Sequence, residues 1–463
     1  MKYIFNNSIK EDIIVLKNGN LMQETIKDLG AKLIFILTDI LIVTLSLYLA
    51  YLFRGITPLF GENKTTLNIY FNFYPIYIII LSLFLYEGIY TYRYDFWHET
   101  RKIFKALILA ALLTFAYLAM TKSIEHYSRI VIGASFVFMF LLLPISKLFI
   151  KKLLHKIGLW SKEAKIYGND TFLNCEIYNN SYLGYKKPKD ENGFSTVFIN
   201  SKTISPDRLK ALIESEIKHT KEVIFTPILD EYDLTHSQIY ELSNTRTNLI
   251  VYENRLKSWH RRLIQTIFNY LLALLLLPIL LPIIIIIAIA IKLESRGGVF
   301  FIHKRVGKGG KTIPVVKFRS MYIDAKDRLE SMLKSDQKIR EEWESCFKLK
   351  DDPRVTKVGK FLRKTSLDEL PQIFNVLLGH MNFVGPRPVI QEEIDNYYKD
   401  IAEYYFMVKP GITGLWQVSG RSDTDYEFRT RTDKWYVLNW SIWKDIVILI
   451  KTIGVVLKRD GAY

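Results

Sequence analysis

Long uninterrupted runs of apolar residues dominate the first third of the chain. They lie near residues 33–53, 69–91, 103–121 and 130–150. Each is close to the roughly 20 residues that a helix needs to cross about 30 Å of hydrocarbon. We therefore predict a membrane domain of four transmembrane helices over residues 33–155. Residues 1–32 lack the short apolar core and cleavage site of a secretory signal and are predicted to be an N-terminal cytoplasmic segment.

Basic residues between these runs predict their orientation, because Lys and Arg are disfavoured in translocated loops. Asp39 lies within the first run, only about two turns from its cytoplasmic end, which favours a structural role over a functional one. Both chain termini are predicted to face the cytoplasm. One side carries Lys27, Lys32, Arg93, Arg101, Lys102, Lys105, Lys147, Lys151, Lys152 and Lys156, and the other carries Arg54, Lys64, Lys122 and Arg129.

Residues 156–255 alternate short strand patterns with helical patterns, which is typical of a small parallel-sheet α/β domain of the Rossmann-like kind. Dinucleotide binding needs a glycine-rich turn after the first strand. That turn keeps only Gly168, so we expect no cofactor and a structural or regulatory role, with a possible homodimer surface. The predicted strands are Ala164–Tyr167, Val197–Asn200, Val223–Thr226 and Leu249–Tyr252, with a helix at Pro206–His219 and a further helix before the last strand.

A fifth apolar run, Leu271–Ile291, has basic residues on both sides and contains Pro278 and Pro282. A crossing helix would place one basic cluster on the wrong face of the membrane. Each proline removes a backbone donor and bends or breaks a helix. We therefore predict a re-entrant helix near 263–293 that turns at the two prolines and leaves on the side where it entered. The alternative is a kinked fifth span.

Two other helical patterns follow. Trp435–Lys458 places Lys444, Lys451 and Lys458 beside a wide apolar face. This suits a helix lying among lipid headgroups and equally one buried in a domain core. Asp324–Leu349 is predicted to be an amphipathic structural helix.

The net charge of +16 requires anionic partners, which at this point include phospholipid, nucleic acid and phosphorylated substrates. Residues 256–463 hold 34 basic and 23 acidic residues, and therefore +11 of this charge. Its position beside an apolar run favours lipid and phosphorylated substrates and argues against nucleic acid. Cys175 and Cys346 are too few for a disulfide framework.

The candidate chemistry centres on Asp368 and Glu369, within the sequence RKTSLDELPQ. Ser366 and Glu369 fit a helix capping box, so one interpretation is purely structural. The other is catalytic, because an ionised Asp can attack phosphorus and a neighbouring carboxylate can hold Mg²⁺. Basic groups that could neutralise phosphate occur in HKRVG, KFRSM and VGPRP, where Arg387 stands between two prolines. The run KPGITGLWQVSGR is interpreted as a loop that closes over a ligand.

Residues 256–463 resemble the bacterial sugar transferase family, the polyisoprenyl-phosphate hexose-1-phosphate transferases or monotopic phosphoglycosyl transferases. The matching stretches are KRVG, VVKFRSM, RKTSLDELPQIFNVLLGHMNFVGPRP and KPGITGLWQVSGR. The preceding regions are similar in architecture to the N-terminal half of the large undecaprenyl-phosphate galactose or glucose phosphotransferases. The implied fold is a membrane bundle, an α/β domain and a mainly α monotopic catalytic domain. Where the family often has Ser before the re-entrant proline, this chain has Leu281.

The resemblance implies that Asp368 attacks a UDP-sugar, releasing UMP, and that undecaprenyl phosphate then takes the phosphosugar. This would be the first membrane step of O-antigen, capsule or exopolysaccharide synthesis. It further implies Mg²⁺ at Glu369, with Asp368 beside it, and substrate phosphates at Lys317, Arg319, Arg363, Arg387 and Arg421. The alternatives are a glycosyl transferase that releases UDP and a non-catalytic scaffold for glycan assembly. No motif distinguishes galactose, glucose or another hexose.

Overall fold

The computed structural model describes most of the chain, and all structural statements below concern these residues. They are 19–56, 65–123, 126–168, 171–188, 194–201, 204–218, 220–226, 232–242, 247–335, 340, 352–419 and 425–458. The chain divides into two compact units, Met1–Asp230 and Glu231–Tyr463. Each unit is described by itself.

The N-terminal unit begins with long apolar helices that bury one face against one another and leave the other face exposed. Leu37, Ile78 and Leu112, for example, are each more than 60% exposed. Among the described residues, four stretches of this unit are long and apolar enough to cross a membrane. The second is two helices, because the chain turns at Phe73 before Pro75, and it ends at Tyr86 rather than at residue 91. The helices are α1 (Gly19–Ile56), α2 (Leu67–Phe71), α3 (Tyr74–Tyr86), α4 (Phe96–Met120) and α5 (Arg129–Lys156).

Asp39 is fully buried between these helices and is neutralised there. Lys147 of α5 lies 2.7 Å from its Oδ2 atom, and the hydroxyl of Tyr90 donates a second hydrogen bond of 2.6 Å. An isolated charge in this environment would be strongly destabilising, and the lysine supplies its counter-charge. The structural interpretation of Asp39 agrees with this pairing.

A second buried ion pair lies one turn further along α5. Lys151 pairs with Glu99 of α4, and Glu99 also accepts a 2.9 Å hydrogen bond from the hydroxyl of Tyr182. Tyr182 belongs to the segment that follows the first strand and helix of the α/β region. Its carbonyl accepts a 2.8 Å hydrogen bond from the indole of Trp160. This pair therefore connects the helical bundle to the α/β region within one unit.

The α/β region is a four-stranded, fully parallel sheet in the order β2-β1-β3-β4. Val197 and Ile199 of β3 are completely buried, because this strand is central and covered on both faces. The elements are β1 (Lys162–Tyr167), α6 (Thr171–Asn179), β2 (Tyr185–Lys186), β3 (Thr196–Ile199), α7 (Pro206–Glu216) and β4 (Glu222–Phe225).

The strand predicted at Leu249–Tyr252 is not part of that sheet. Residues 247–251 form β6 (Thr247–Val251), which pairs antiparallel with β5 (Gln238–Leu242), where a helix was expected. The hairpin belongs to the C-terminal unit, so the assignment of residues 231–255 to the α/β domain is wrong. An antiparallel hairpin needs only a short connection and therefore leaves no room for a crossover helix.

The fifth apolar run forms one helix, α8 (Trp259–Glu294), which contains both Pro278 and Pro282. The two prolines therefore do not end the helix, whereas its predicted re-entrant course, with a turn at the prolines, stays a prediction. By length and composition, α8 is also able to cross a membrane. Its buried residues lie both before and after the prolines, from Asn269 to Ile291.

The rest of the C-terminal unit surrounds a main core that includes Phe318, Ile373 and Trp440 and a smaller one that includes Val389 and Tyr405. The antiparallel pair β7–β8 and the short parallel pair β9–β10 carry most of the candidate site. The elements are β7 (Phe300–Val306), β8 (Thr312–Phe318), α9 (Ala325–Ser335), α10 (Lys357–Thr365), α11 (Gln372–Leu377), β9 (Asn382–Val384), α12 (Gln391–Glu393), α13 (Ala402–Met407), β10 (Gly411–Thr413), α14 (Leu415–Ser419), α15 (Tyr426–Leu438) and α16 (Ile442–Lys458).

Three predicted segments are refined by this part of the fold. The run at 409–421 is not one loop, since it supplies β10 and α14, while Arg421 lies outside the described residues. The helix expected over residues 324–349 is described only from Ala325 to Ser335. In α16, Asp445 and Ile448 are buried in the core, whereas Ile453 and Leu457 are 61% and 76% exposed.

Candidate active site

Lys317 is positioned by the β7–β8 hairpin. It lies near the end of β8, one residue before the fully packed Phe318, and pairs across the hairpin with Phe301. The backbone N–H of Val316 donates a 3.0 Å hydrogen bond to the side chain of the buried Asn375, which ties this strand to α11. The strand therefore presents the Lys317 ammonium group toward the start of α11.

The segment that leads to the acidic pair is α10, and its start is fixed by two caps. The Thr356 hydroxyl accepts a 2.9 Å hydrogen bond from the N–H of Gly359, and Glu294 accepts one of 2.6 Å from the N–H of Lys357. A Cβ atom at Gly359 would stand 2.0 Å from the carbonyl oxygen of Ser320. Only glycine allows this close approach, which sets α10 against the end of the hairpin.

Ser366 ends α10 in the left-handed region, at φ 56°, immediately before the acidic pair. A residue with a Cβ atom is strained there by about 1–2 kcal/mol. Its side chain makes no capping hydrogen bond, and the next helical turn, Leu367–Glu369, is a single 3₁₀ turn. The capping-box interpretation of Ser366 and Glu369 is therefore wrong, and the Glu369 carboxylate is directed elsewhere.

Glu369 is held between two cations. Its Oε1 atom lies 2.6 Å from Nζ of Lys317 and 3.4 Å from Nη2 of Arg387. Burial alone would raise the pKa of Glu369, but Arg387, Lys317 and the side chain of Gln372 together lower it to about 2. Glu369 is therefore ionised throughout the physiological range.

Asp368 is the less constrained member of the pair. It is partly exposed, and none of the residues that the structure describes donates a hydrogen bond to its carboxylate. Burial and the neighbouring charge of Glu369 raise the pKa of Asp368, while Lys317, Arg363 and Arg387 act in the opposite direction. A carboxylate with available oxygens and a raised pKa has the properties of a nucleophile rather than those of a structural ion pair.

Arg387 is mounted on the β9–β10 pair. The N–H of Gly385 donates to the carbonyl of Thr413 (3.0 Å), and the N–H of Gly411 donates to the carbonyl of Pro386 (2.9 Å). A Cβ atom at Gly411 would stand 2.1 Å from the backbone nitrogen of Gly385. These two close backbone contacts, with the flanking prolines, hold Arg387 at the cleft.

The other predicted basic residues differ in position. Arg363 donates a 2.9 Å hydrogen bond from Nε to Ser320 and interacts electrostatically with Asp368. Arg319 instead binds the carbonyls of Ser295 and Arg296, at 2.9 and 2.6 Å, where α8 joins β7. Its observed contacts are thus at a chain junction rather than at Glu369.

The cleft beside Glu369 contains two polar residues, Arg305 and Gln372, that were not assigned to the site from the sequence. It is lined by Arg305, Val315, Lys317, Glu369, Gln372, Arg387, Pro388 and Ile412. Arg305 lies 4.0 Å from Glu393 and belongs to the KRVG stretch, so its motif was the available signal. Gln372 is 1% exposed, and nothing in its spacing separates it from an ordinary core residue of α11.

This arrangement can bind a phosphate group and attack it. Lys317, Arg363 and Arg387 provide fixed positive charge around a carboxylate whose oxygens are available. The described residues contain no group of three or more His, Cys, Asp or Glu side chains that could hold a metal by themselves. Asp368 with Glu369 does fit Mg²⁺, which commonly takes only one or two carboxylates together with phosphate oxygens.

Long apolar helices, together with an acidic pair set among cations that could bind phosphate, are features expected of a membrane-associated transferase of phosphorylated groups. Comparison with known proteins makes this specific. The sequence profile described as bacterial sugar transferase matches residues 260–459. The undecaprenyl-phosphate galactose phosphotransferase of Salmonella typhimurium is 36% identical over 412 residues, which cover 81% of this chain and 84% of that protein. The chain therefore belongs to the bacterial sugar transferase family.

Two further relatives extend the comparison. The UDP-galactose-lipid carrier transferase of Erwinia amylovora is 35% identical over 413 residues, covering 81% of this chain and 84% of that protein. The UDP-glucose:undecaprenyl-phosphate glucose-1-phosphate transferase of Escherichia coli is 37% identical over 275 residues, covering 58% and 55%. The alignments with the Salmonella typhimurium and Erwinia amylovora proteins extend well beyond the profile match and therefore include much of the N-terminal unit. The chain is thus an enzyme of the transferase class.

Proposed function

We propose that this enzyme transfers a hexose-1-phosphate from a UDP-sugar to undecaprenyl phosphate. In the first step, a carboxylate oxygen of Asp368 attacks the β-phosphorus of the UDP-sugar. The bond from that phosphorus to the bridging oxygen breaks, and UMP leaves with the bonding electrons. In the second step, a phosphate oxygen of undecaprenyl phosphate attacks the same phosphorus. The bond to Asp368 breaks, which regenerates the carboxylate and gives undecaprenyl-diphosphate-sugar.

The observation that carries this proposal is the difference between the two adjacent carboxylates. Glu369 is fixed by Lys317 at 2.6 Å, whereas no described residue donates a hydrogen bond to Asp368. A nucleophile needs an available lone pair, and a carboxylate occupied by two cations is poor at attack. This asymmetry supports Asp368 as the nucleophile and Glu369 as the fixed partner.

The cations support the same reaction. Phosphoryl transfer depends mainly on positioning and on stabilising charge that spreads over the phosphate oxygens. Lys317 from β8 and Arg387 from the segment after β9 converge on Glu369, and Arg363 of α10 interacts electrostatically with Asp368. We infer that these three side chains bind the diphosphate and then the lipid phosphate. Arg319 and Arg421 are not needed for this proposal.

Magnesium is part of the proposal. Glu369 uses Oε1 for both of its cations, and no described residue donates a hydrogen bond to the Asp368 carboxylate, so this carboxylate can offer oxygens to a metal ion beside Glu369. Bound there, Mg²⁺ would neutralise the diphosphate and polarise its phosphorus–oxygen bonds.

The sugar is proposed from the relatives. Two of the three relatives that align with 81% of the chain carry galactose in their names, the third is named only as a sugar transferase, and the one that aligns with 58% carries glucose. Galactose-1-phosphate is therefore the first candidate and glucose-1-phosphate the second. The product would enter polysaccharide synthesis, such as O-antigen or exopolysaccharide.

We further propose that α8 enters the membrane without crossing it. A straight helix of 36 residues would be about 54 Å long. Near its start, Asn269 accepts a 2.7 Å hydrogen bond from the N–H of Phe383, and at its end Glu294 accepts one from the N–H of Lys357. Both partners belong to one compact unit. This favours a bend within a continuous helix, with both ends on the cytoplasmic side.

The test of function is nucleotide release, with the lipid acceptor present or omitted. Membranes or purified enzyme would receive UDP-galactose, UDP-glucose or UDP-N-acetylglucosamine with Mg²⁺. The proposal predicts UMP from one of these sugars, with turnover only when undecaprenyl phosphate is present and a single equivalent released without it. UDP as the product would indicate a glycosyl transferase, and no nucleotide release from any sugar would favour the scaffold.

The membrane arrangement has a separate test. Lys311 is exposed at the turn between β7 and β8, so Lys311→Cys in a background without Cys175 and Cys346 offers one labelling position. We expect labelling only after the inner membrane is made permeable. Labelling of intact spheroplasts from outside would place the catalytic unit on the periplasmic side and contradict the re-entrant helix.

A further inference from the structure

The first residues of β7 are apolar and exposed on both faces of the strand. Phe300, Phe301 and Ile302 are 46%, 53% and 60% exposed. Consecutive residues of a strand point to opposite faces, so this exposure is not explained by one solvent-facing side. An exposed apolar segment of this kind marks a contact surface.

The strand register places one of these side chains on the face of the hairpin that forms the cleft. Phe301 is directly opposite Lys317, and Arg305 is directly opposite Ile313. Directly opposite residues of an antiparallel pair share a face. Arg305, Lys317 and Val315 all line the cleft beside Glu369. Phe301 therefore belongs to the cleft face, next to the lysine that holds Glu369, whereas Ile302 belongs to the other face.

The chain reaches Phe301 directly from the exposed end of the long apolar helix. Leu293, in the last turn of α8, is 82% exposed, and β7 starts six residues after α8 ends. Arg319 fixes this junction through the carbonyls of Ser295 and Arg296. An apolar ligand that lies beside the end of α8 would thus meet Phe301 before it meets Lys317.

We propose that Phe301 is the contact for the first isoprene units of the acceptor lipid, whose phosphate is thereby placed at Lys317. This assignment rests on the proposed function. The occupant is chosen by chemistry: Phe301 lies between apolar neighbours in the sequence and follows an apolar helix end. A hydrocarbon chain that ends in a phosphate matches this order of an apolar surface followed by a cation. A nucleobase would instead need polar partners for its ring edge.

The test compares Phe301→Ser with Ile302→Ser, a neighbouring residue of similar exposure on the opposite face. Steady-state rates would be measured in detergent micelles with varied undecaprenyl phosphate and saturating UDP-sugar, and then the reverse. Losing burial of one aromatic ring predicts a KM for undecaprenyl phosphate about tenfold higher in Phe301→Ser. The KM for the UDP-sugar and the single equivalent of UMP released without acceptor should not change. Ile302→Ser should match the wild type, and Phe301→Leu should stay within about threefold of it.

Several results would overturn the assignment. A higher KM for the UDP-sugar in Phe301→Ser would make the ring a nucleobase platform. Equal defects in Phe301→Ser and Ile302→Ser would make the strand a general membrane edge, as would weaker binding of Phe301→Ser to vesicles that lack polyprenyl phosphate. A wild type that releases no UMP from any UDP-sugar would instead overturn the proposed function, and this assignment with it.

Discussion

The two units of this chain each bury acidic and basic side chains, but they do so in opposite ways. In the membrane helices, Asp39 is matched by Lys147 and Glu99 by Lys151, and all four side chains are at most 1% exposed. In the catalytic cleft, Glu369 is shared by two cations while Asp368 receives no hydrogen bond from a described residue. A closed pair neutralises its own charges and leaves none to act on a ligand. An open carboxylate among cations is arranged for a ligand that brings its own charge.

The largest effect should come from removing the open carboxylate. Asp368→Asn keeps the size of the side chain and loses no protein hydrogen bond, but an amide is not a phosphorus nucleophile. We expect UMP release to fall by about a thousandfold or more, with the free energy of unfolding within about 0.5 kcal/mol of the wild type. Product assays and thermal melts in the same detergent would measure both. Substantial remaining turnover would show that the reaction does not pass through Asp368.

Breaking one of the buried ion pairs in the membrane helices should lower stability and leave the activity of the folded enzyme unchanged. Lys147→Met leaves Asp39 buried without its counter-charge, which costs about 3–5 kcal/mol of stability. The rate per folded molecule should not change. The double variant Asp39→Asn with Lys147→Met removes both charges and should recover most of the stability. A stable but inactive Lys147→Met enzyme would assign this pair to function and remove the contrast between the two units.

Arg387 should show an intermediate effect, on substrate binding. Loss of a charge-assisted hydrogen bond costs about 1.5–3 kcal/mol, so Arg387→Ala should raise the KM for the UDP-sugar by roughly tenfold to a hundredfold. Arg387→Lys keeps the charge but loses the planar guanidinium group, so its KM for the UDP-sugar should lie between those of the wild type and Arg387→Ala. Arg431, which is 72% exposed in an ion pair on α15, offers the control Arg431→Ala, expected within twofold of the wild type. An unchanged KM in Arg387→Ala would contradict its role at the phosphates.

The smallest effect concerns pH and a third kind of buried acid. Asp445 accepts hydrogen bonds from Tyr436 (2.7 Å) and Trp440 (3.1 Å), and no cation among the described residues pairs with it. Burial raises the pKa of Asp445 to about 7, although these hydrogen bonds oppose the shift. As the pH rises, the unfolded chain, in which Asp has a pKa of about 3.9, therefore loses this proton at a lower pH than the folded protein does. This contribution to stability is complete below about pH 4 and is lost as the pH rises through about 7.

Asp445→Asn is neutral at every pH and should therefore flatten this dependence. We expect the melting temperature of the wild type to fall more between pH 6 and pH 8 than that of the variant. Parallel slopes for the two proteins would mean that Asp445 is already ionised in the folded state at pH 6.

These pairs also show how far the sequence alone could be interpreted. The long helices follow from apolar run length, because a membrane span depends on local composition. Arg387 was recognisable through its flanking prolines and Asp368 through its family motif. The ion pair between Glu369 and Lys317 could not be predicted from the sequence, because the two residues are 52 positions apart. The local spacing of Ser366 and Glu369 fits a helix cap just as well. Likewise, Asp39 lies 108 residues from Lys147. Periodicity describes neighbours in the chain and does not report which distant charges meet.

The errors have the same origin. Pro278 and Pro282 each weaken a helix locally, yet α8 is continuous through both, with Ala273 before them and Ile284 after them buried in the core of the C-terminal unit. Residues 247–251 have the composition of a buried parallel strand, but their partner is the nearby strand at 238–242. Tertiary contacts outweighed local preference in both places.

The central claim is that Asp368 carries the phosphosugar between the two steps. It is tested most directly by intact-mass and peptide mass spectrometry of the full chain, after rapid quenching with UDP-galactose, Mg²⁺ and no acceptor lipid. The account predicts one added hexose phosphate on the peptide that contains Asp368, removed when undecaprenyl phosphate is supplied and absent from Asp368→Asn. A wild-type enzyme that releases UMP while its mass stays unchanged, or that carries the adduct on another residue, would contradict it.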